Sequence, residues 1–455
     1  MTMARIERPL VSRRKMLQAM GIIGAGALIA ACAPVTPAQP ADSASGGEAS
    51  ASQEAVSIKY QQRASPAEDF VRNKFGPQFQ EETGIEVILE DIPNAEYFDK
   101  IVVLAAAGQL GDLIFGFTYP WLPSWASKNL MQPLDELVTA DNFDLGQFYE
   151  GVINACRFEG ALYGLPTVAH PSSVNLYFNR TMLEEAGISA PDAASPEDSW
   201  SYEDILANAL TVTSEPDRWG YWFSTDFSLY TMANLRSWGT DLLSPDGTQA
   251  MTASPEGIAM YQHFQDLIYV HNVTPSPEEA GGNDQSAMFT AGTLAMFTSA
   301  TSQITTFGAQ IEDRFEWGAF PMPPGPGGSR GATVFGNTTS ITQQAKEVDA
   351  AFEFLKYITS HEAGVEKLLM GSGSPGARPD VFQDPEIVKT YPWYEVGHKV
   401  MLEAQAPIIP PNARTAEIYA LVPQMESQIW LNQVTGEEGA KQLAEAIDQI
   451  LAQPR

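Results

Sequence analysis

Three short stretches carry side chains from which a binding chemistry can be built: Gln61-Gln62-Arg63-Ala64-Ser65, Asp91 to Asn94, and Phe117-Thr118-Tyr119-Pro120-Trp121. They supply amides, a guanidinium, a carboxylate and large aromatic rings. That mixture suits a polyhydroxylated molecule, which needs bidentate polar contacts at its rim and a flat apolar platform for its C–H face. Gln62, Arg63, Asp91, Tyr119 and Trp121 are therefore candidate ligand contacts. A solvated loop is the plain alternative for the polar three, and core packing for the rings. Catalytic patterns are weaker. Gly327-Gly328-Ser329-Arg330-Gly331 fits a hydrolase elbow only formally, because it lies in a Pro/Gly loop and not a strand-turn-helix. Gly371-Ser372-Gly373-Ser374-Pro375-Gly376 fits a dinucleotide fingerprint, but a helical pattern precedes it and Pro375 interrupts it. Carboxylates abound in this chain, so pairs of them indicate no glycosidase.

The elements around these stretches are legible from periodicity. Val56, Ile58 and Tyr60 alternate with polar residues, which predicts a strand. Phe70, Lys74, Phe75 and Phe79 fall at helical spacing, and Gly84 stands where a glycine would end the helix. Ile85, Val87 and Leu89 alternate again. Tyr97, Ile101, Leu104 and Ala105 share a second helical face that stops at Gly108, and Leu113-Ile114-Phe115 reads as a buried parallel strand. This is the β-α-β-α-β opening of a doubly wound sheet, whose ligands lie beyond the C-terminal ends of its strands. The three polar stretches occupy those ends. No Gly-rich loop follows the first strand, so a dinucleotide is not expected. A second set begins near Ser173, with Val174, Leu176 and Phe178 alternating and a short helix from Thr181 to Ala186 ended by Gly187. Ser201, with Asp204 three residues on, predicts a helix start, as does Ser254 followed by Pro255. Val348, Ala351, Phe352, Leu355 and Ile358 form an amphipathic helix. Pro321 to Gly328 reads as a rigid connector or a surface turn.

The chain of 455 residues is long enough for two or three domains. It carries 26 Lys and Arg against 56 Asp and Glu, a formal charge of −30, which argues against nucleic acid or adhesion to anionic lipid as partners. Five His and two Cys leave a disulfide framework or a multi-ligand metal site unexpected, and no cofactor or metal is expected. Ser12-Arg13-Arg14-Lys15-Met16-Leu17 precedes an apolar run from Ala19 to Ala31, the layout of an export signal and too short to span a bilayer. Ile29-Ala30-Ala31-Cys32 resembles a bacterial lipobox with Cys32 as the lipidated residue. Arg13 and Arg14 resemble a twin-arginine motif, with Met16 where Phe is usual. Residues 33–55 contain no Leu, Ile, Phe, Trp or Tyr and read as a flexible tether, spanning about 25 Å. Removing residues 1–31, with five basic side chains and one acid, leaves a body near −34. Cys156 is then the sole unmodified thiol and reads as a buried structural residue.

The order of motifs resembles that of the extracellular solute-binding proteins of ABC sugar importers, the maltose-type group. Phe79-x-x-x-Thr83-Gly84-Ile85-x-Val87 is similar to their first helix and second strand. Gly160-x-Leu162-Tyr163-Gly164-Leu165-Pro166 matches the entry to the first interlobe crossing. Tyr177-Phe178-Asn179-Arg180 with Glu185-Ala186-Gly187-Ile188, Phe289-x-x-Gly292-x-x-Ala295-Met296, and Ala351 to Ser360 match in turn. The resemblance covers residues 56 to 450. It implies an α/β, two-lobe, type II periplasmic-binding-protein-like fold, each lobe a doubly wound sheet with helices on both faces, joined by hinge crossings. After a signal at 1–31 and a tether at 32–55, lobe 1 would be 56–165 and 318–371, and lobe 2 would be 166–317 and 372–455. It implies a monomer that captures a carbohydrate by hinge closure, delivers it to ABC permease subunits and is held outside the membrane by a lipid anchor, with no chemistry of its own. On position in the family, His170 in the hinge segment, Trp238 near the cleft and Arg378 after the last crossing become further candidate contacts; a hinge histidine, a packed ring and a surface ion pair are their structural alternatives. Gly111-Asp112, where Pro-Asp is common, reads as a neutral departure, and Trp238-Gly239, where Gly-Gly is common, as one that bears on the ligand. An exported enzyme acting on polysaccharide and a ligand-sensing receptor are the competing readings.

Overall fold

The computed structural model describes residues 56–65, 69–172, 175–190, 200–224, 228–300, 303–371, 376–392 and 394–455. The export signal with Arg13 and Arg14, the lipobox Cys32 and the tether lie outside the described residues.

The first sheet opens as the apolar pattern requires. β1 (Ser57–Ala64), β2 (Glu86–Pro93) and β3 (Leu113–Phe117) are parallel and lie in the order β2-β1-β3. The helical link from β1 to β2 ends in the helix Gly76–Thr83 and seats Phe79 edge-on against Phe354, with ring centroids 5.0 Å apart. Gly84 closes that helix at φ 77°, a left-handed conformation that suits a residue without Cβ. The helix Tyr97–Ala106 covers the opposite face, where Tyr97 packs on Phe115 and donates its hydroxyl to the carbonyls of Gln61 and Phe115. β3 is buried on both faces, as a continuous apolar run should be. A small hairpin of β4 (Arg157–Phe158) and β5 (Ala161–Leu162) turns at Glu159-Gly160, both at positive φ. β6 (Leu165–Ser172) and β11 (Thr333–Ile341) complete the sheet in the order β2-β1-β3-β11-β6, with β11 antiparallel to both neighbours.

The second sheet holds β7 (Asn175–Asn179), β8 (Trp219–Trp222), β9 (Leu294–Ser299) and β10 (Trp317–Pro321) in the order β10-β7-β9-β8; β8 and β9 are parallel, and β7 is antiparallel to β9 and β10. The helix Tyr202–Val212 starts on a capping box between Ser201 and Asp204, and Pro255–Tyr269 starts on Ser254, whose hydroxyl accepts from the Gly257 amide. The long helices Thr415–Trp430 and Gly436–Leu451 pack into the same core through Ile418, Val422, Leu443 and Ile447.

Strand membership and packing depart from the expected lobe bounds at three places. Residue 165 does not leave the first sheet: the chain pairs with β11 as far as Ser172, because Thr333 to Thr339 offer a partner along that whole length. Residue 318 does not return to it, since β10 pairs with β7 through Pro321, and the Pro/Gly connector follows. Residues 372–455 do not stay together. Val381 packs on Gly364 and Phe382 on Tyr149 in the first half, and only beyond residue 404 does the chain pass to the second core. Gly111 is not neutral either, because a Cβ there would stand 2.6 Å from the Lys59 carbonyl oxygen. No helix among the described residues is long and apolar enough to cross a membrane.

Candidate functional site

The C-terminal ends of the first sheet's parallel strands gather a row of rings. Phe117 ends β3, and β11 runs antiparallel beside it, which brings Phe335 to the same edge with centroids 5.2 Å apart. The β11–β6 register pairs Phe335 with His170, whose ring lies 4.9 Å away. On the other side Phe98, from the helix Tyr97–Ala106, sits 5.3 Å from Phe117 and stacks on Trp121 at 4.5 Å with planes 8° apart. Trp121 is held there because it opens the helix Trp121–Ser127 directly after β3. The row therefore runs Trp121, Phe98, Phe117, Phe335, His170. Phe98, Phe117, Trp121 and Phe335 are all partly exposed.

Arg63 lies over this row, its guanidinium carbon 5.0 Å from the Phe115 ring and 5.1 Å from Phe117. A delocalised cation on aromatic faces keeps its in-plane donors for other acceptors. Gln62 points to the other face of β1 and is buried. It donates Nε2 to Asp91 at 2.9 Å, and Asp91 is also ion-paired with Arg72. Gln62 Oε1 is buried without a hydrogen-bond partner among the described residues. Asp91, with two donors already on it, is an anchored acceptor. His170 is buried, which pushes its pKa down to about 4, so it is neutral near pH 7 and offers a hydrogen bond instead of a charge.

Tyr119 is fully buried in the second core. Its hydroxyl has no partner among the described residues, its ring lies 6.1 Å from Tyr419, and burial raises its pKa. It marks a seam between the halves, where the Thr415 hydroxyl donates to the Pro120 carbonyl at 2.6 Å. The second sheet presents its own strand ends to this seam. Only two residues separate Ser172 of β6 from Asn175 of β7, so these ends lie within about 11 Å. Asn175 pairs with Ser299 of β9, and the Ser224 amide donates to Thr298 Oγ1 at 3.2 Å, which collects short polar side chains at that edge.

Trp238 and Arg378, like Gln62, Asp91 and Tyr119, are not brought to the exposed ring row. Trp238 is 7% exposed and packed among Tyr202, His263 and Phe264 at 5.0 to 5.2 Å, so its faces are covered by the second core. Arg378 forms a bidentate pair with Asp380 and donates to Gln147 on the flank of the first half. Phe98 and Phe335 were not among the expected contacts. The Thr-Val-Phe-Gly-Asn-Thr-Thr-Ser-Ile run around Phe335 carries a readable strand signal, whereas Phe98 is marked only by its place on a helix. Cys156 is buried, its thiol pushed up to about 12 by desolvation, and packs as expected of a structural residue. No cluster of three or more His, Cys, Asp or Glu able to hold a metal occurs among the described residues.

The profile of the family described as "Bacterial extracellular solute-binding protein" matches residues 75–395. A maltotriose-binding protein of Pyrococcus abyssi is 23% identical over 321 residues, 70% of this chain and 65% of that protein. An arabinooligosaccharide-binding protein of Halalkalibacterium halodurans is 26% identical over 258 residues, 55% of each chain. Among solved structures, an ABC substrate-binding protein from Listeria monocytogenes in complex with cycloalternan superposes with a TM-score of 0.74 at 19% identity, covering 87% of this chain and 99% of that one. That similarity is one of fold, a two-lobe architecture.

Proposed function

The chain belongs to the bacterial extracellular solute-binding family, and on that premise we propose that it captures a carbohydrate between two lobes and hands it to the permease of an ABC transporter. The observation that carries this reading is the partly exposed row Trp121, Phe98, Phe117, Phe335 with Arg63 across it and neutral His170 at its end. Flat rings take the C–H face of a pyranose, and Arg63 and His170 take its hydroxyls. The sugar ligands named for the relatives point the same way. The lobes are the halves built on the two sheets, and closure gains only from contacts made in the closed state. A micromolar affinity, about −8 kcal/mol, is within reach of several stacked and hydrogen-bonded sugar contacts. The family is one of binding proteins, and the cargo leaves unchanged. Export of the twin-arginine type and lipidation at Cys32 would hold a monomer on a tether within reach of the permease.

A titration of the full chain with a panel of neutral mono- and oligosaccharides tests this. A matching sugar raises the melting temperature and changes tryptophan fluorescence, since Trp121 lies in the row. A panel that moves neither contradicts carbohydrate as the cargo.

A further inference from the structure

The second half carries a pocket that none of the candidate contacts touches. Its volume is about 300 Å³, and its lining includes Trp222, Phe223, Trp430, Pro275, Asn283 and Asp284. It lies where β8 ends: Trp222 is the last residue of the strand and Phe223 follows. β8 and β9 are parallel, so this is the ligand end of the second sheet by the same rule that places the ring row on the first. Phe223 and Trp430 meet at 5.3 Å with planes 70° apart and form a floor of ring surface.

The rim is polar and its backbone is fixed. Asn283 donates Nδ2 to the Ala280 carbonyl at 2.9 Å, which leaves Oδ1 as an acceptor. Asp284 caps the helix Gln285–Ala291 by accepting the Ala287 amide on Oδ1 at 2.7 Å, which leaves Oδ2 for a hydroxyl. Gln285 Nε2 donates to the Phe223 carbonyl and ties rim to floor. Aromatic surface below, with an amide oxygen and a carboxylate oxygen above, is a set for one sugar ring.

The helix Thr415–Trp430 serves as a ruler. Its first residue donates to the Pro120 carbonyl beside Trp121, and its last lines the pocket. At 1.5 Å per residue these ends stand about 22 Å apart, a gap that a monosaccharide does not bridge. Resting on the carbohydrate reading above, we infer that this pocket is a distal subsite that holds one residue of an oligosaccharide whose other end lies on the Trp121 row. The cargo is then an oligosaccharide and not a single sugar.

The test is calorimetric titration of the full chain with linear malto- and arabino-oligosaccharides, from disaccharide to hexasaccharide. In the wild type, affinity climbs with chain length by about tenfold or more in at least one series. Asn283→Ala, at an exposed position, and Trp222→Leu, which keeps an apolar side chain, each flatten that climb at least about threefold, with the melting temperature read alongside to confirm the fold. Binding without length dependence, or length dependence kept by both folded variants, overturns the distal subsite and leaves the carbohydrate reading standing. Absence of binding in every series overturns both.

Discussion

Replacing Trp121 by Ala removes the stacked end of the ring row while leaving Phe98 and Phe117 in place. Stacking of this kind is worth about 1 kcal/mol, so sugar affinity is expected to fall about fivefold to tenfold, read by calorimetry, with little change in melting temperature because Trp121 is only partly buried. His170 sets the pH behaviour of the site. Its pKa is lowered to about 4 by burial, so affinity should stay flat from pH 5 to 8 and weaken only below about pH 4, where the ring takes up a proton it cannot solvate. Glu426 behaves in the opposite way and affects stability. It is fully buried between the Thr231 and Tyr261 hydroxyls, and desolvation raises its pKa to about 7. The folded-state value lies above the unfolded one, so the stabilisation is complete below about pH 4.5 and is lost as the pH rises through about 7. The loss is about 3 kcal/mol. Glu426→Gln should remove this contribution, seen as a melting temperature that changes more favourably from pH 5 to 8 than in the wild type. His170 and His263, held neutral by burial, shift stability the other way in both proteins.

At the scale of elements, Arg236 ties the crossings together. Its buried guanidinium donates to Asp241, to Thr333 Oγ1 at the start of β11, and to the carbonyls of Gln405 and Ala406 where the chain passes back to the second core. Arg236→Ala leaves Asp241 half-buried without its cation and is expected to cost about 3 kcal/mol, measured by denaturant unfolding. The opening β-α-β-α-β unit was legible because its signals are local: Phe75 and Phe79 at helical spacing, Gly84 at the stop, Leu113 to Phe115 as an unbroken apolar run. The polar stretches at its strand ends were legible for the same reason. The ring row was not fully so, because His170 and Phe335 meet only through the β11–β6 register, across a separation that no local period encodes. Trp238 failed in the reverse direction: its residue type suits a cleft or a core equally, and its partners Tyr202, His263 and Phe264 decide for the core. The crossings were misplaced at 165 and 318 because a strand that continues and a strand that leaves the sheet share the same alternation.

For the whole molecule, capture by closure requires two sheets whose ligand ends converge on one seam, and a solute that favours the closed arrangement. A formal charge of −30 favours neutral cargo over anionic cargo, with Arg63 set over the row. The most direct test is small-angle X-ray scattering of the purified chain, titrated with a malto- or arabino-oligosaccharide that binds. The radius of gyration should fall and level off at one sugar per protein. A radius that stays constant through saturation would contradict a clamp that closes on its cargo.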